Sequence, residues 1–269
     1  MFDFFTVYIS AIIFVFGTII GSFLNVLIYR LPIGLDFKKS NSMCISCKHK
    51  LAWYDLFPLF SWLFLGGKCR YCKTKISARY PIVEALNGIL YVLVYLFLCG
   101  GNGIEGLGLK LIGYFIVVSC LVVTAWIDFE HEIIPDSMWI SIFIGGIFIV
   151  LDSVIKGEFS KEFIVSKIIG LFTVSGFFFL LGAVSQGRWM GGGDVKLMAA
   201  AGFVLGWKAV IVSMFIGAFV GVLFAIARKL FAKKQMLGTI SFGPFLSIGV
   251  AVSAFFGDSV FNWYLSLFV

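Results

Sequence analysis

Charged side chains are scarce in this sequence. Asp, Glu, Lys and Arg together make up 13% of its residues, about half the share found in ordinary soluble domains. Hydrophobic residues reach 61% and the mean hydropathy is +1.05, which excludes a water-soluble globule and places the chain in a bilayer. Histidine is reduced to His49 and His131, and neither a Ser-His-Asp grouping nor the H-E-x-x-H helix of a zinc peptidase is present. Nothing before Arg30 is basic, Asp3 stands where a secretory leader would carry its positive end, and no small-residue cleavage site follows. The first apolar segment is therefore expected to be retained. Proline is rare, with 5 residues, against 30 glycines, a frequency that lets membrane helices approach closely. Gly17/Gly21 and Gly217/Gly221 have G-x-x-x-G spacing, read as ordinary helix packing.

What is abundant is apolar sequence in long runs. A transmembrane helix needs about 20 apolar residues, fewer where neighbours bury its ends. On that ruler eight segments qualify, at roughly 5–28, 82–99, 111–127, 138–155, 163–184, 195–206, 209–227 and 239–257. The sixth is short enough for a half-span or re-entrant element. The expectation is an all-α polytopic membrane protein of about eight helices, with a first helix over 1–29, a polar loop domain over 30–80 and a membrane domain over 81–269. Cations fix its orientation. Arg30, Lys38, Lys39, Lys48, Lys50, Lys68, Arg70, Lys73, Lys75 and Arg79 fall in the loop, Arg228, Lys229, Lys233 and Lys234 near the C-terminal end, and Arg188 and Lys196 on the same side. Only Lys110, Lys156, Lys161, Lys167 and Lys208 fall opposite. The positive-inside rule makes the crowded side cytoplasmic. The net charge of +7 thus reflects topology and gives no ground for a nucleic-acid partner.

The loop over 30–80 carries Cys44 and Cys47 in "CISC" and Cys69 and Cys72 in "CRYC". Two C-x-x-C knuckles separated by 21 residues can supply four thiolates to a closed tetrahedral zinc. Two disulfides or free thiols are the alternative, and a cytoplasmic, reducing location argues against disulfides. A loop of this size also gains from a metal staple. Cys99 and Cys120 lie inside apolar segments and read as small buried hydrophobes.

Ionisable groups at the ends of membrane helices are functional candidates because placing them near hydrocarbon is costly. Asp128 lies at the cytoplasmic end of the third segment, in "TAWIDFEHEIIPD", and Asp194 at the cytoplasmic start of the sixth, in "WMGGGDVKLMAAAG". Each alone reads as a solvated helix end or, for Asp194, as a helix cap. As a pair on one membrane face they read differently. Gly191, Gly192 and Gly193 remove side-chain bulk beside Asp194, so that a backbone or substrate strand can lie against it. Two carboxylates sharing a site hold one proton between them. The ionised member can then take a proton from water while the protonated one donates to a substrate carbonyl. That is the chemistry of aspartic peptide hydrolysis, without an acyl-enzyme or a catalytic metal. Asp136 is expected to cap the fourth segment, and Glu130, His131 and Glu132 to form a solvated loop.

Beyond this chemistry, the sequence resembles the bacterial type IV prepilin peptidases, bifunctional leader peptidases and N-methyltransferases of the G-x-G-D aspartic protease group. The resemblance rests on "GSFLNVLIYRLP" (21–32), the two cysteine knuckles, "WYDLFPLFSWLFLGGKCRYC" (53–72), "ARYPIVE" (78–84), "IDFEHEIIPD" (127–136), "MGGGDVKLMAA" (190–200) and "FGPFL" (242–246). It implies that Asp128 and Asp194 are the catalytic pair, with Gly191 and Gly193 as the glycines of the second motif. Trp189 stands where members often have glycine, and Ser241 where they often have proline. The implied substrate is a pilin-like precursor whose basic leader stays cytoplasmic. Cleavage after a glycine at the membrane boundary would be followed by methylation of the new amino group from S-adenosylmethionine. The methyl-donor residues stay unassigned, and the resemblance leaves open whether the precursor serves a pilus, a secretion pseudopilus or DNA uptake. Other readings remain: a leader peptidase without methylation, a proton-coupled transporter using the same aspartates, or a membrane-anchored zinc module that recruits a partner.

Overall fold

The structure, a computed structural model, describes residues 4–35, 42–99, 108–231 and 240–268. Asp3, Lys38, Lys39, Lys233 and Lys234, and the side chain of Cys99, lie outside the described residues. The described chain is helical: α1 (Phe4–Arg30), α2 (Phe60–Phe64), α3 (Arg79–Cys99), α4 (Leu109–His131), α5 (Asp136–Ile155), α6 (Lys161–Val184), α7 (Gly192–Leu205), α8 (Trp207–Phe231) and α9 (Gly243–Ser266). Among the described residues there is no β-strand, only the isolated bridges Met43–Lys50 and Lys68–Lys75. All but α2 and α7 are long and apolar enough to cross a membrane. The chain is thus an all-α, multi-pass membrane protein.

It divides into two compact units, residues 1–111 and 112–269. The polar stretch ends at residue 80, but the packing division falls later because α3 pairs with α1. That pairing depends on the first glycine pair. A Cβ on Gly17 would come within 2.8 Å of the Gly88 backbone, and one on Gly21 within 2.7 Å of the Glu84 backbone. Backbones this close admit direct polar ties, and Asn87 Nδ2 donates to Gly17 O at 2.7 Å and Asn25 Nδ2 to Tyr80 O at 3.1 Å. The same helix pair holds the loop. Glu84 in α3 accepts the Leu59 N–H at 2.8 Å, which fixes the segment leading into α2.

In the second unit the sixth apolar segment is too short for a full span, as its sequence length suggested. It forms α7, whose 14 residues extend about 21 Å against a hydrocarbon core of about 30 Å. The helix stops because Gly206, at φ +89°, turns the chain out of it. A short helix is tolerated here because protein covers it: Leu197, Met198, Ala200, Ala201, Val204 and Leu205 are all buried. Its neighbour α6 runs antiparallel, with Gly182 beside Met190 at one end and Ser166 beside Gly206 at the other. Buried Lys167, in the second turn of α6, donates its ammonium to the Val204 carbonyl. Lys167 is thus a helix-terminus partner for α7. The carbonyls left open where α7 ends inside the protein are what draw it in.

Candidate active site and metal centre

Asp128 lies one turn before the end of α4, and its side chain is buried. α9 runs antiparallel to α4. Asp128 meets Gly243 at the start of α9, and Asp258, fifteen residues further along, acts electrostatically on Tyr114, fourteen residues back along α4. The Gly243 N–H donates to Asp128 Oδ2 at 2.9 Å. A Cβ at Gly243 would lie 2.5 Å from that oxygen, so only glycine lets the backbone approach the carboxylate there. The Ser241 side chain hydrogen-bonds the same carboxylate, and the Glu132 charge acts on it. Sequence reasoning noted "FGPFL" and Ser241 only as part of a resemblance. The signal available was the glycine ahead of Pro244 at a helix start, which frees orphan backbone donors for an anion.

Asp194 is the third residue of α7. The N-cap is Gly191, without a side-chain cap bond of its own, and Asp194 reaches back to its backbone N–H, so Asp194 helps to cap α7 without being the N-cap residue. Its carboxylate is half-buried, accepts the Gly191 N–H and feels the charge of Asp128, which puts the two carboxylates within electrostatic reach of each other across 66 positions of sequence. The three glycines differ in what they do. Gly192 has open space where a Cβ would project, and at Gly191 the nearest atom is Asp194 Oδ2, 3.4 Å away. Gly193 packs against the α4–α5 connection, where a Cβ would stand 2.9 Å from Ile134 Cβ. Gly191 and Gly192 therefore leave the approach to Asp194 clear, and Gly193 lets α7 seat against Ile134.

Asp136 is not the cap expected of it. Pro135 occupies that position and Asp136 is the first helical residue. Its carboxylate instead accepts Trp139 Nε1 at 2.8 Å and pairs with Lys196 Nζ at 2.6 Å. Proline presets the backbone for helix entry, which frees the carboxylate for this tie between the starts of α5 and α7. Glu130 and His131 belong to the last turn of α4 and are exposed, as is Glu132 just beyond it. Glu130 accepts Trp126 Nε1 at 2.9 Å. Trp189 is exposed ahead of Gly191.

In the first unit Cys44, Cys47, Cys69 and Cys72 come together, with all four sulfurs within 4.8 Å of one another. None of the four is in a disulfide. The two knuckles fold alike. Lys48 N–H returns to Cys44 O at 2.9 Å and Lys73 N–H to Cys69 O at 3.0 Å, and each lysine takes a positive φ, 57° and 59°. The bridges Met43–Lys50 and Lys68–Lys75 close the two turns. Between the knuckles, His49 stacks on Tyr71 with ring centroids 3.7 Å apart. Asp55, in a short helical turn over Trp53–Leu56, ties the loop to the second knuckle by accepting Arg70 Nε at 2.7 Å, Tyr71 OH at 3.1 Å and Ala52 N–H at 3.2 Å. The Thr74 hydroxyl and amide beside Cys72 pull its thiol down to about 6, toward the thiolate that binds metals. This cluster can hold a metal ion. Cys120 is buried in α4, as its apolar surroundings imply.

A buried carboxylate held by backbone and hydroxyl donors, with a half-buried carboxylate in its field, is an arrangement in which two groups can hold one proton between them. Comparison with known proteins gives the family. Residues 15–98 match the family model described as the bacterial Peptidase A24 N-terminal domain, and residues 115–226 match that of the type IV leader peptidase family. The chain is 31% identical over 282 residues to a prepilin leader peptidase/N-methyltransferase of Aeromonas salmonicida (strain A449), covering 95% of this chain and 94% of that protein. Proteins with the same name match from Bacillus subtilis (strain 168), at 30% over 264 residues covering 96% and 98%, and from Myxococcus xanthus (strain DK1622), at 35% over 222 residues covering 81% and 64%. No solved structure matches the chain. The chain belongs to the type IV leader peptidase family, and it is a membrane protease with methyltransferase activity.

Proposed function

We propose that Asp128 and Asp194 are the acid–base pair with which this protein removes the leader of a prepilin-like precursor at the cytoplasmic face of the inner membrane, before methylating the new N-terminus. The observation that carries this reading is that the two carboxylates lie within electrostatic reach of each other, with Asp128 seated on the α9 N-terminus. Donors to a carboxylate favour its ionised form, and Asp128 receives two, from Gly243 and Ser241, against one to Asp194, from Gly191. Asp128 is therefore the base, and Asp194, facing that charge from a half-buried position, keeps the shared proton. Asp128 takes a proton from water as the oxygen adds to the scissile carbonyl carbon, and Asp194 gives its proton to the carbonyl oxygen. Collapse of the tetrahedral intermediate returns the oxygen's proton to Asp194 and passes the proton on Asp128 to the leaving nitrogen. The C–N bond breaks, one water is consumed, and the dyad regains its starting state.

The four-cysteine site fits zinc. Four Zn–S bonds of about 2.3 Å at tetrahedral angles place their sulfurs about 3.8 Å apart, and Cys44 Sγ and Cys72 Sγ lie 3.8 Å apart. Bound there, the metal would be structural, with no coordination position left open for chemistry. The methyl donor is S-adenosylmethionine, which the relatives' name as N-methyltransferases supports. The deciding experiment mixes the purified protein in detergent with a pilin-like precursor, with and without S-adenosylmethionine, and weighs the products. Loss of the leader, with the mass of one methylene added only when the donor is present, is the expected result. A transporter or a recruiting module would leave the precursor intact.

Two further outcomes are expected. A reporter fused within 30–80 or at 228–238 reports a cytoplasmic location and one at 100–110 an external one; a cytoplasmic signal at 100–110 overturns the topology. Ser241→Ala removes one donor from ionised Asp128 while leaving the Gly243 amide. The acid limb of the pH profile of kcat/KM should then move to higher pH by about one unit, the size expected for a hydrogen bond to a charged group, and Ser241→Thr should restore it. An unmoved limb in Ser241→Ala would remove Ser241 from the account.

A further inference from the structure

Two hydroxyls below the dyad have no use in the fold. Thr124 lies one turn before Asp128 on α4, and Ser247 one turn after Gly243 on α9. Because the two helices are antiparallel and meet where Asp128 accepts the Gly243 amide, these positions fall at the same depth. Each lies about 6 Å further into the bundle, from the 1.5 Å rise per residue. Residues four apart share a helix face, so both belong to the faces on which α4 and α9 meet. Thr124 is fully buried and Ser247 is 3% exposed. Thr124 Oγ1 and Ser247 Oγ have no hydrogen-bond partner among the described residues.

A buried serine or threonine in a helix ordinarily returns its hydroxyl to a carbonyl one turn back, as buried Ser153 and Ser175 do here. Thr124 and Ser247 do not, and a buried hydroxyl without a partner costs about 1–3 kcal/mol. Ser253 Oγ, further along α9, is unpartnered too, but Thr124 and Ser247 lie at one depth, directly beneath a carboxylate that needs water as its co-substrate. Buried water characteristically makes about three hydrogen bonds, to polar groups that are otherwise unsatisfied. The geometry points to a water-binding site between α4 and α9, formed by the hydroxyls of Thr124 and Ser247 with the Asp128 carboxylate above them, which supplies the water that the dyad consumes. This inference rests on the peptidase reading and gives it the source of its nucleophile. Such a site answers a difficulty of hydrolysis at a membrane boundary, since a precursor helix lying against the dyad would cover the route from bulk solvent. Water held below the carboxylate is already in place when the substrate arrives. The hydroxyls can each donate and accept, so they can turn a lone pair of that water toward the carbonyl while its proton faces Asp128.

The test measures leader cleavage by the full chain in detergent, with thermal unfolding recorded alongside. Thr124→Val and Ser247→Ala should each lower kcat about ten-fold or more with KM little changed, because the loss falls on the reacting water and not on precursor binding. Thr124→Ser keeps a hydroxyl and should recover most of the rate. Both hydroxyl-free variants should also unfold at lower temperature, since the water they leave behind has lost a partner. If the two hydroxyls are merely unpaired, the opposite follows: Thr124→Val removes a buried unsatisfied group, so the protein becomes more stable and cleaves at the unmodified rate. That combination overturns the water site. Asp128→Asn in the same assay separates the two readings. If it is inactive while Thr124→Val is fully active, only the water site fails; if it cleaves normally, the peptidase reading fails first. Should neither hydroxyl-free variant accumulate, radiolytic hydroxyl labelling of the unsubstituted protein decides. Modification at Thr124 or Ser247, both buried, requires water between these helices, and its absence from both overturns the site.

Discussion

Asp128→Asn and Asp194→Asn should each abolish leader cleavage, with losses of at least the 10²–10⁴-fold typical for removing a general acid or base. An amide can neither accept a proton from water nor supply one at the required acidity. Asp128→Asn also leaves the Gly243 amide and the Ser241 hydroxyl facing a neutral acceptor, so the group that made the site anionic is gone. The double variant should be no worse than either single one, because residues that act as a unit are strongly non-additive. Asp→Glu at either position should fail in large part, since an added methylene displaces the carboxyl by about an ångström and catalysis tolerates little misplacement. Gly243 leaves no slack at Asp128, where even a Cβ would stand 2.5 Å from the carboxylate oxygen. Asp136→Asn is the control. It loses an exposed ion pair with Lys196, the kind of contact worth at most about 1 kcal/mol, and should keep cleavage. Every variant needs first to be shown to insert and accumulate. Correctly inserted Asp194→Asn protein that processes precursor at the unmodified rate would falsify the dyad.

Substitution of any one of Cys44, Cys47, Cys69 and Cys72 by Ser should release the metal and damage methylation far more than cleavage. The intact protein should contain about one zinc per chain, and a closed four-thiolate site loses most of its affinity with any one ligand. Around the site the loop has few other supports. Asp55 binds Arg70, Tyr71 and the Ala52 amide, Trp62 Nε1 donates to Ile76 O, and Glu84 holds Leu59. Without the metal those ties must hold two knuckles whose lysines sit at positive φ. The aspartates belong to the other compact unit, which contains none of the four cysteines. Metal content by mass spectrometry, read with methylation and cleavage of the same precursor, tests this. Zinc-free protein with stoichiometric disulfides under reducing conditions would sink it, as would a Cys→Ser variant that methylates normally.

The sequence by itself determined the solvent, the helical class, the candidate carboxylates and the cysteine cluster. Each of these is written in local chemistry. An apolar run of sufficient length has to become a helix in lipid because its backbone polar groups have no other partners there. A charge at the end of such a run is costly enough to mark itself, as Asp128 and Asp194 do, and a C-x-x-C pair is a knuckle whatever lies around it. Where the sequence misled, a neighbour distant in the chain had taken over. Asp136 looked like a cap and is a partner of Lys196. Lys167, counted only among the cations of the external side, serves the carbonyl end of α7. The shortness of the sixth segment was legible, and the structure adds why it is tolerated: protein, not lipid, surrounds it. The tertiary structure alone decided which groups act on the carboxylates. That Gly243 and Ser241 serve Asp128, and that Thr124 and Ser247 lie level beneath it, follows from α9 packing antiparallel to α4 across more than a hundred intervening residues. Packing between distant helices depends on side-chain shape and on where glycines let backbones meet, and that information is spread over both partners, so neither segment states it alone.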